Sequence, residues 1–479
     1  MSVLEELEPQ AVFHFFEELS AIPHGSGNTK AASDWCVAFA RERGLEVYQD
    51  QANNVIIIKE AAPGYEEADP IILQGHLDMV CEKAADCTKD MAREGLDLMV
   101  DGDTIYAKNT TLGGDDGIAV AMGLALLDDE SLPHPRLEVV FTTEEEVGMD
   151  GAAALDADLL QGRQMLNLDS EEEGIFTVSC AGGCMAACVL PVEREAFDGM
   201  TLTVTVEGLT GGHSGTEIHK GQGNADMLLG RILWAMAQHT ELRLISAAGG
   251  LKDNAIPVSA QATIAAADEE TARAAVSEMG EILQREYRAT DPKLTVRCGK
   301  CGTQGTPMDA NSTRRTICML NCLPNGVQAM SYELPGLVQT SLNLGILETE
   351  PTFVRASFCV RSSVASQKKM LQERLACLME QLGGSAAISG EYPAWEYRED
   401  SPLRERMTKV FQEQYGRFPR IESIHAGVEC GLFCGKIPGL DCVSIGPDLT
   451  EIHTPRERMH IASVQRVWQF ILEVLKRSK

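Results

Sequence analysis

The sequence predicts an α/β protein built from a discontinuous α/β domain, residues 1–185 and 393–479, and an inserted α+β domain, residues 186–392. Three observations carry this reading. In both outer parts, short β-branched apolar runs alternate with segments of helical period, and several of the runs lead into His, Asp or Glu. From about residue 185 the order becomes β-α-β-β-α-β, and a weaker second copy starts near residue 308, so the insert reads as two ferredoxin-like units. Finally, 479 residues exceed what one typical core organises.

Composition narrows the function classes. Hydrophobic content of 44% and charged content of 23% are ordinary for a globular protein. A net charge of −30 argues against nucleic acid or an anionic membrane as partner, because both require basic patches. Residues 1–10 are polar and acidic, without the basic and apolar regions of a signal peptide. No run approaches the ~18–20 apolar residues of a membrane span. Fifteen cysteines, an odd number, then read as free thiols in a reducing cytoplasm. Cys298, Cys301, Cys318 and Cys322 have spacing that a structural zinc site permits, but scattered thiols are the preferred reading.

Along the first part, Val12, Phe13, Phe15, Phe16 and Leu19 have helical spacing, and Ile22–Asn28 is a loop by its Gly, Pro and Asn content. Lys30 to Arg43 predicts a helix closed by Gly44. Residues 45–48 and 54–58 predict strands. Pro70-Ile71-Ile72-Leu73 predicts a buried strand running into Gln74-Gly75-His76-Leu77-Asp78. In extended chain His76 and Asp78 share a face, and a carboxylate two positions on can hold a ligating histidine. Taken alone, a satisfied strand-end histidine explains this stretch.

Met99–Lys108 predicts a hairpin, with Asp101-Gly102 as its turn signal. Thr110–Gly117 is a glycine-rich loop before an Ala/Leu-rich helix, Ile118–Leu127. Its adjacent Asp115 and Asp116 could cap the helix, yet packed together without a cation they would repel. The strand Leu137–Thr142 leads to Glu144, Glu145 and Glu146, and Leu166–Asp169 ends in a carboxylate. The recurrence of strand ends carrying His or carboxylate, counted as four, points to a metal site.

In the insert, residues 201–206 alternate as a half-exposed strand, Gly208–Gly223 is a loop holding His213, and Asn224–His239 is a helix. Strands follow near 243–246 and 260–265, then a helix over 270–288 and a strand over 294–297. The second copy runs helix, strands 340–347 and 352–361, helix 366–382 and strand 386–390. After 392 come the helix Pro402–Tyr415, the loop from Ile424 into a short helix, a strand at 442–447, the loop with His453 and the last helix, Ile461–Lys476.

The ordered set Gln74–Val80, Thr110–Gly117, Glu145–Gly148, Asp169, Gly212–Gly215, Asn254–Pro257, Gly427–Gly431 and His453 resembles the aminoacyl-histidine dipeptidases. These are carnosinase-like members of the dinuclear-zinc metallopeptidase superfamily that includes aminoacylases and carboxypeptidase G. The longer signatures at 148–151 and 167–174 fit that branch, and the resemblance spans essentially the whole chain.

The resemblance implies a mixed sheet flanked by helices and a lid made by the insert. It implies two Zn²⁺ per chain, with Co²⁺ or Mn²⁺ as substitutes. One ion falls to His76 and Asp169, the other to Glu146 and His453, and Asp115 bridges them. Asp78 orients His76. Glu145 is the general base for a zinc-bridged hydroxide, with the register of the glutamate run set by Gly148. His213 supplies the oxyanion donor, and Asn254 and Arg361 hold the substrate, the guanidinium pairing with its carboxylate. The expected partner is a dipeptide, Xaa-His among others. The duplicated insert either makes a homodimer or mimics one. An amidohydrolase acting on N-acyl amino acids is the alternative within the superfamily. A binding protein that keeps only the fold is the alternative outside catalysis, and it sits poorly with a full set of ligands and a base.

Overall fold

The computed structural model describes residues 3–301 and 305–479. The chain divides into two compact units. The first comprises Met1–Ser179, Tyr397–Ser423 and Val428–Lys479, and the second comprises Cys180–Glu396 and Ile424–Gly427.

The first unit is organised on a mixed eight-stranded sheet. At its centre Leu137–Thr142, Ile71–His76 and Gln164–Asn167 run parallel, with Asp441–Ser444 continuing the parallel set. Val55–Lys59 and Glu46–Gln49 add antiparallel neighbours on one side. Every residue of Ile71–His76 and Leu137–Thr142 is buried, as expected for central strands covered on both faces. The helix Gly114–Asp128 is apolar nearly all round and buried over almost its whole length. It packs between the helix Gln10–Ser20 and the strand Ile71–His76. The amphipathic helix Ile461–Lys476 buries Val464, Val467, Phe470 and Ile471 and leaves its polar side outward. A small four-stranded sheet pairs Leu98–Asp101 with Thr104–Ala107, and Thr104–Ala107 with Arg458–His460 and Leu449–Thr450 beyond it. The loop bearing His453 is therefore closed off by a β ladder at both ends.

The second unit carries a nine-stranded sheet made of two antiparallel four-stranded blocks plus one side strand. In the first block Met200–Glu207, Leu242–Gly249, Ala260–Ala266 and Thr295–Lys300 are crossed by the helices Ala225–Ala237 and Glu269–Glu286. In the second, Phe353–Ser362 and Ser385–Tyr392 pack against the helix Ala365–Gln381, with Val338–Thr349 beside them, while Ala310–Cys322, which precedes these strands in the chain, packs on the helix Ala225–Ala237 and the strand Leu242–Gly249. The first strand of this second block is Gly182–Pro191, paired with both Phe353–Ser362 and Ser385–Tyr392. The first block is thus inserted between the opening strand and the first helix of the second. The expected domain border at 185/186 would cut that strand in two, and the division falls instead at 179/180. The border at 392/393 moves to 396/397, where Trp395 bonds back to Cys180. Ile424–Gly427 also joins this unit, because Ile424 and Ala426 both accept from the Ala181 amide. A single apolar core runs under both blocks, from Cys184 to Met379.

Candidate functional site

Three of the central parallel strands of the first unit deliver side chains to one edge, the carboxyl end where α/β sheets collect ligands. His76 is the last residue of its strand. Glu145 and Glu146 follow Leu137–Thr142, and Asp169 follows Gln164–Asn167. The sequence expectation of four such strands needs correcting here. The other two groups come from elsewhere: Asp115 from the start of the helix Gly114–Asp128, and His453 from the loop after Leu449–Thr450.

The structure brings all seven expected residues of this unit together. His76 Nε2 lies 3.2 Å from Asp115 Oδ1 and 3.6 Å from Asp169 Oδ1. His453 Nε2 lies 3.2 Å from Asp115 Oδ2 and 2.9 Å from Glu146 Oε1. The two oxygens of Asp115 therefore face different histidines. Ligand atoms of Asp115, Glu146 and His453 fall within 4.8 Å of one another, and so do those of His76, Glu145 and Glu146. Asp116 also falls close to His76 and Asp169, but its Oδ2 accepts the His76 main-chain N–H at 3.1 Å.

Asp78 does not share a strand face with His76, because the strand ends at His76 and Leu77 turns the chain. The turn nevertheless sets Asp78 Oδ1 3.5 Å from His76 Nδ1, whose hydrogen goes to the Asp78 carbonyl at 2.9 Å. The same carboxylate accepts from the Glu145 amide at 3.0 Å, the Glu146 amide at 3.3 Å and the Ser26 hydroxyl at 2.8 Å. Asp78 thus orients one histidine and the backbone of two glutamates together. Glu144 points elsewhere and accepts from the Gly27 amide at 2.9 Å.

Electrostatics follow from burial and pairing. Burial would lower the His76 pKa, but bonds from Asp115, Asp169 and Asp78 outweigh it and raise it well above the usual range. Hydrogen bonds from Asp115 and Glu146 raise His453 to about 10. Burial would raise Asp115, yet His453 and His76 hold it below the ordinary carboxylate range. Burial pushes Asp169 up to about 6 and Glu145 up to about 9, with His76 opposing both. Carboxylates this crowded are expected to be neutralised by cations. His plus carboxylate donors, with one carboxylate directed both ways, suit a pair of divalent ions of the zinc type.

One residue essential to this geometry carries no sequence signal. Glu457, 2% exposed, accepts from the amides of Leu112, Gly113 and Gly114 at 2.7, 3.2 and 2.8 Å. A carboxylate at the start of the helix fixes the loop that presents Asp115. Gly113 lies there at φ +66°, a left-handed position, and a Cβ on it would meet Met79 Sδ at 2.8 Å. In the sequence Glu457 is one charge among Arg456, Arg458 and their neighbours.

His213, Asn254 and Arg361 belong to the second unit. His213 lies on a two-residue strand paired with Ala255–Ile256, so it is fixed beside Asn254, whose carbonyl accepts the Ser214 amide at 2.8 Å. His213 Nδ1 accepts from the amides of Gly215 and Thr216 at 3.2 and 3.1 Å. Two N–H donors on Nδ1 leave the proton on Nε2, so the ring presents a neutral donor. Arg361 is buried on Phe353–Ser362 and donates to the Tyr392 hydroxyl at 3.1 Å. Among the described residues no cysteine enters a ligand group. Cys318 and Cys322 lie 3.7 Å apart on one helix, and Cys298 sits on the strand Thr295–Lys300.

Residues 72–477 match the model of peptidase family M20/M25/M40. The chain belongs to this family. It is 39% identical over 480 residues to the cytosol non-specific dipeptidase of Escherichia coli K12, covering 99% of both chains. It superposes on the aminoacylhistidine dipeptidase of Vibrio alginolyticus with a TM-score of 0.94 at 36% identity, covering 99% of this chain and 97% of that one. An aminopeptidase PepT of Bacillus cereus matches at 15% identity and a TM-score of 0.55, which is a likeness of fold. As an M20/M25/M40 peptidase, the chain is a hydrolase of peptide bonds with an α/β fold of mixed sheets and helices. Among the described residues no helix is long and apolar enough to cross a membrane.

Proposed function

We propose that this peptidase is a dinuclear metallo-dipeptidase that cleaves Xaa-His and other dipeptides bearing a free amine. The observation that carries the dinuclear reading is Asp115, which offers one oxygen toward His76 and the other toward His453. Asp169 would complete the His76 side and Glu146 the His453 side. Zinc suits this donor set, with cobalt or manganese able to replace it. When bound, the ions supply Lewis acidity that acidifies a water and polarises the scissile carbonyl.

The chain's own residues do the rest. Glu145, beside this cluster and with the adjacent cations holding it ionised, would take a proton from water and return it to the leaving amine. Asp78 keeps His76 and the Glu145 backbone in place. His213, from this chain or from a partner copy, would offer Nε2–H to the oxyanion, and Asn254 and Arg361 would hold the dipeptide. The names of the E. coli and Vibrio relatives support the dipeptide class, and the former supports a cytoplasmic setting.

The test is hydrolysis of β-alanyl-histidine, read as free histidine, on zinc-reconstituted and chelated protein. Metal-dependent release supports the reading. No release with both metals bound would keep the site and move the substrate to other dipeptides or to acyl-amino acids; failure on α-dipeptides as well would refute the reading, and cleavage of N-acetyl-histidine instead would make the chain an acyl-amino-acid hydrolase.

A further inference from the structure

Four polar side chains are buried where the central strands of the first unit end. Gln74, Thr142 and Asn167 are at most 1% exposed, and Glu429, the first residue of the helix Glu429–Lys436, is fully buried. Central parallel strands are ordinarily apolar throughout, and a polar group placed there is costly unless it is paired. Here the pairing is almost complete. Glu429 Oε2 accepts from Gln74 Nε2 at 2.6 Å and from the Thr142 hydroxyl at 2.7 Å. Gln74 Oε1 in turn accepts from Asn167 Nδ2 at 2.6 Å. Burial pushes the Glu429 pKa up to about 8. A proton there falls to Oε1, which has no partner among the described residues, so Oε2 accepts in either state.

Each residue of this set on a strand stands just ahead of candidate ligands. Gln74 lies two residues before His76, Asn167 two before Asp169, and Thr142 three before Glu145. In the sheet Gln74 is opposite Asn167 and His76 is opposite Thr142, and the β ladders stop at these pairs. One acceptor oxygen thus ties together the three strand ends that deliver His76, Glu145, Glu146 and Asp169. Apolar residues would pack the same positions without leaving Glu429 Oε1 unpaired, so packing does not account for the carboxyl group.

We propose that Glu429 is a positioning residue for the metal cluster: its Oε2 holds Gln74 and Thr142, and through Gln74 also Asn167, so that the ligands on three strand ends converge. Glu429 itself enters none of the ligand groups among the described residues. This rests on the dinuclear reading given above.

The test is Co²⁺ binding by metal-free protein, read by competition with a chelating dye and by the visible spectrum of the bound cobalt. Glu429→Met fills the space but removes the acceptor. It should weaken binding roughly 10- to 100-fold, the usual worth of a group that orients metal ligands, and shift the spectrum. Glu429→Gln keeps an acceptor oxygen and should recover most of the affinity together with the wild-type spectrum. Thr142→Val removes one of the two donors and should give a smaller loss of the same kind. It serves as the readout if Glu429→Met does not fold. A merely structural role would lower the Tm of the metal-free Glu429→Met protein with cobalt affinity and spectrum unchanged, and that result overturns the proposal. Equal losses in Glu429→Met and Glu429→Gln overturn it as well, since the acceptor would then not matter. Wild-type protein that binds no cobalt removes the dinuclear reading and this inference with it. Tight wild-type binding that the variants leave untouched removes only the role of Glu429.

Discussion

Asp115 and Glu145 lie in the same cluster but should fail in different ways when changed. Asp115 is the residue whose two oxygens face both histidines. Asp115→Ala should therefore lower occupancy of both metal positions, whereas His453→Ala, with His76, Asp169 and Asp115 intact, should spare one. Metal per chain, measured after gel filtration at limiting zinc, reads the difference. Identical stoichiometry in the two variants would remove Asp115 from the shared role. Glu145 bonds to Asp78 through its backbone N–H, which keeps its carboxylate out of that contact. Glu145→Gln should keep both ions and lose about 10²- to 10⁴-fold in kcat, the usual worth of a positioned proton-transfer group. Loss of metal in that variant would show it to be a ligand instead.

At the scale of elements, the helix Ala225–Ala237 hides a cost. Asp226, in its first turn, is fully buried and neither carboxylate oxygen has a partner. Burial pushes its pKa up to about 8. The unfolded chain releases this proton near pH ~3.9, while the native state keeps it until about 8. Native protein therefore binds more protons than unfolded protein throughout that window, and stability falls as pH rises through it. Asp226→Asn keeps the shape and removes the ionisation. The variant should match wild type near pH 4 and exceed it increasingly toward pH 9, by at most roughly 5 kcal/mol. Denaturant midpoints against pH test this, and parallel profiles would contradict it. Elements like this helix are legible in the sequence because Asn224 caps it and its apolar spacing is regular. The strand ends at His76 and Asp169 are legible for a similar reason, since apolar runs mark central parallel strands. Pairings across long stretches of chain are not legible. Gly182–Pro191 is rich in small residues, and only its pairing with Phe353–Ser362 reveals that it opens the second block. Glu457 gains its meaning from Leu112, far away in sequence. The candidate ligands are legible because their motifs resemble a family. Spacing alone left three glutamates competing for two roles, and the fold resolves them by sending Glu144 to the Gly27 amide.

For the molecule as a whole, the distribution of buried charge predicts how it should melt. The first unit gathers Asp115, Asp116, Glu145, Glu146 and Asp169 around His76 and His453. In a chain of net charge −30, no general positive field offsets this crowding. Cations bound there act only on the folded state, so at 100-fold excess over Kd each site adds about 2.7 kcal/mol. The second unit rests on a core of its own, from Cys184 to Met379. Chelation should therefore lower the melting of the first unit by several degrees, since about 1 kcal/mol moves Tm by ~2–4 °C at this size. The second unit should melt where it did before. Scanning calorimetry with zinc and with chelator would show one transition moving and the other fixed. A common shift of both would mean that the units unfold as one cooperative body. No shift at all would mean that the carboxylate cluster does not hold cations tightly, and the dinuclear reading would fall with it.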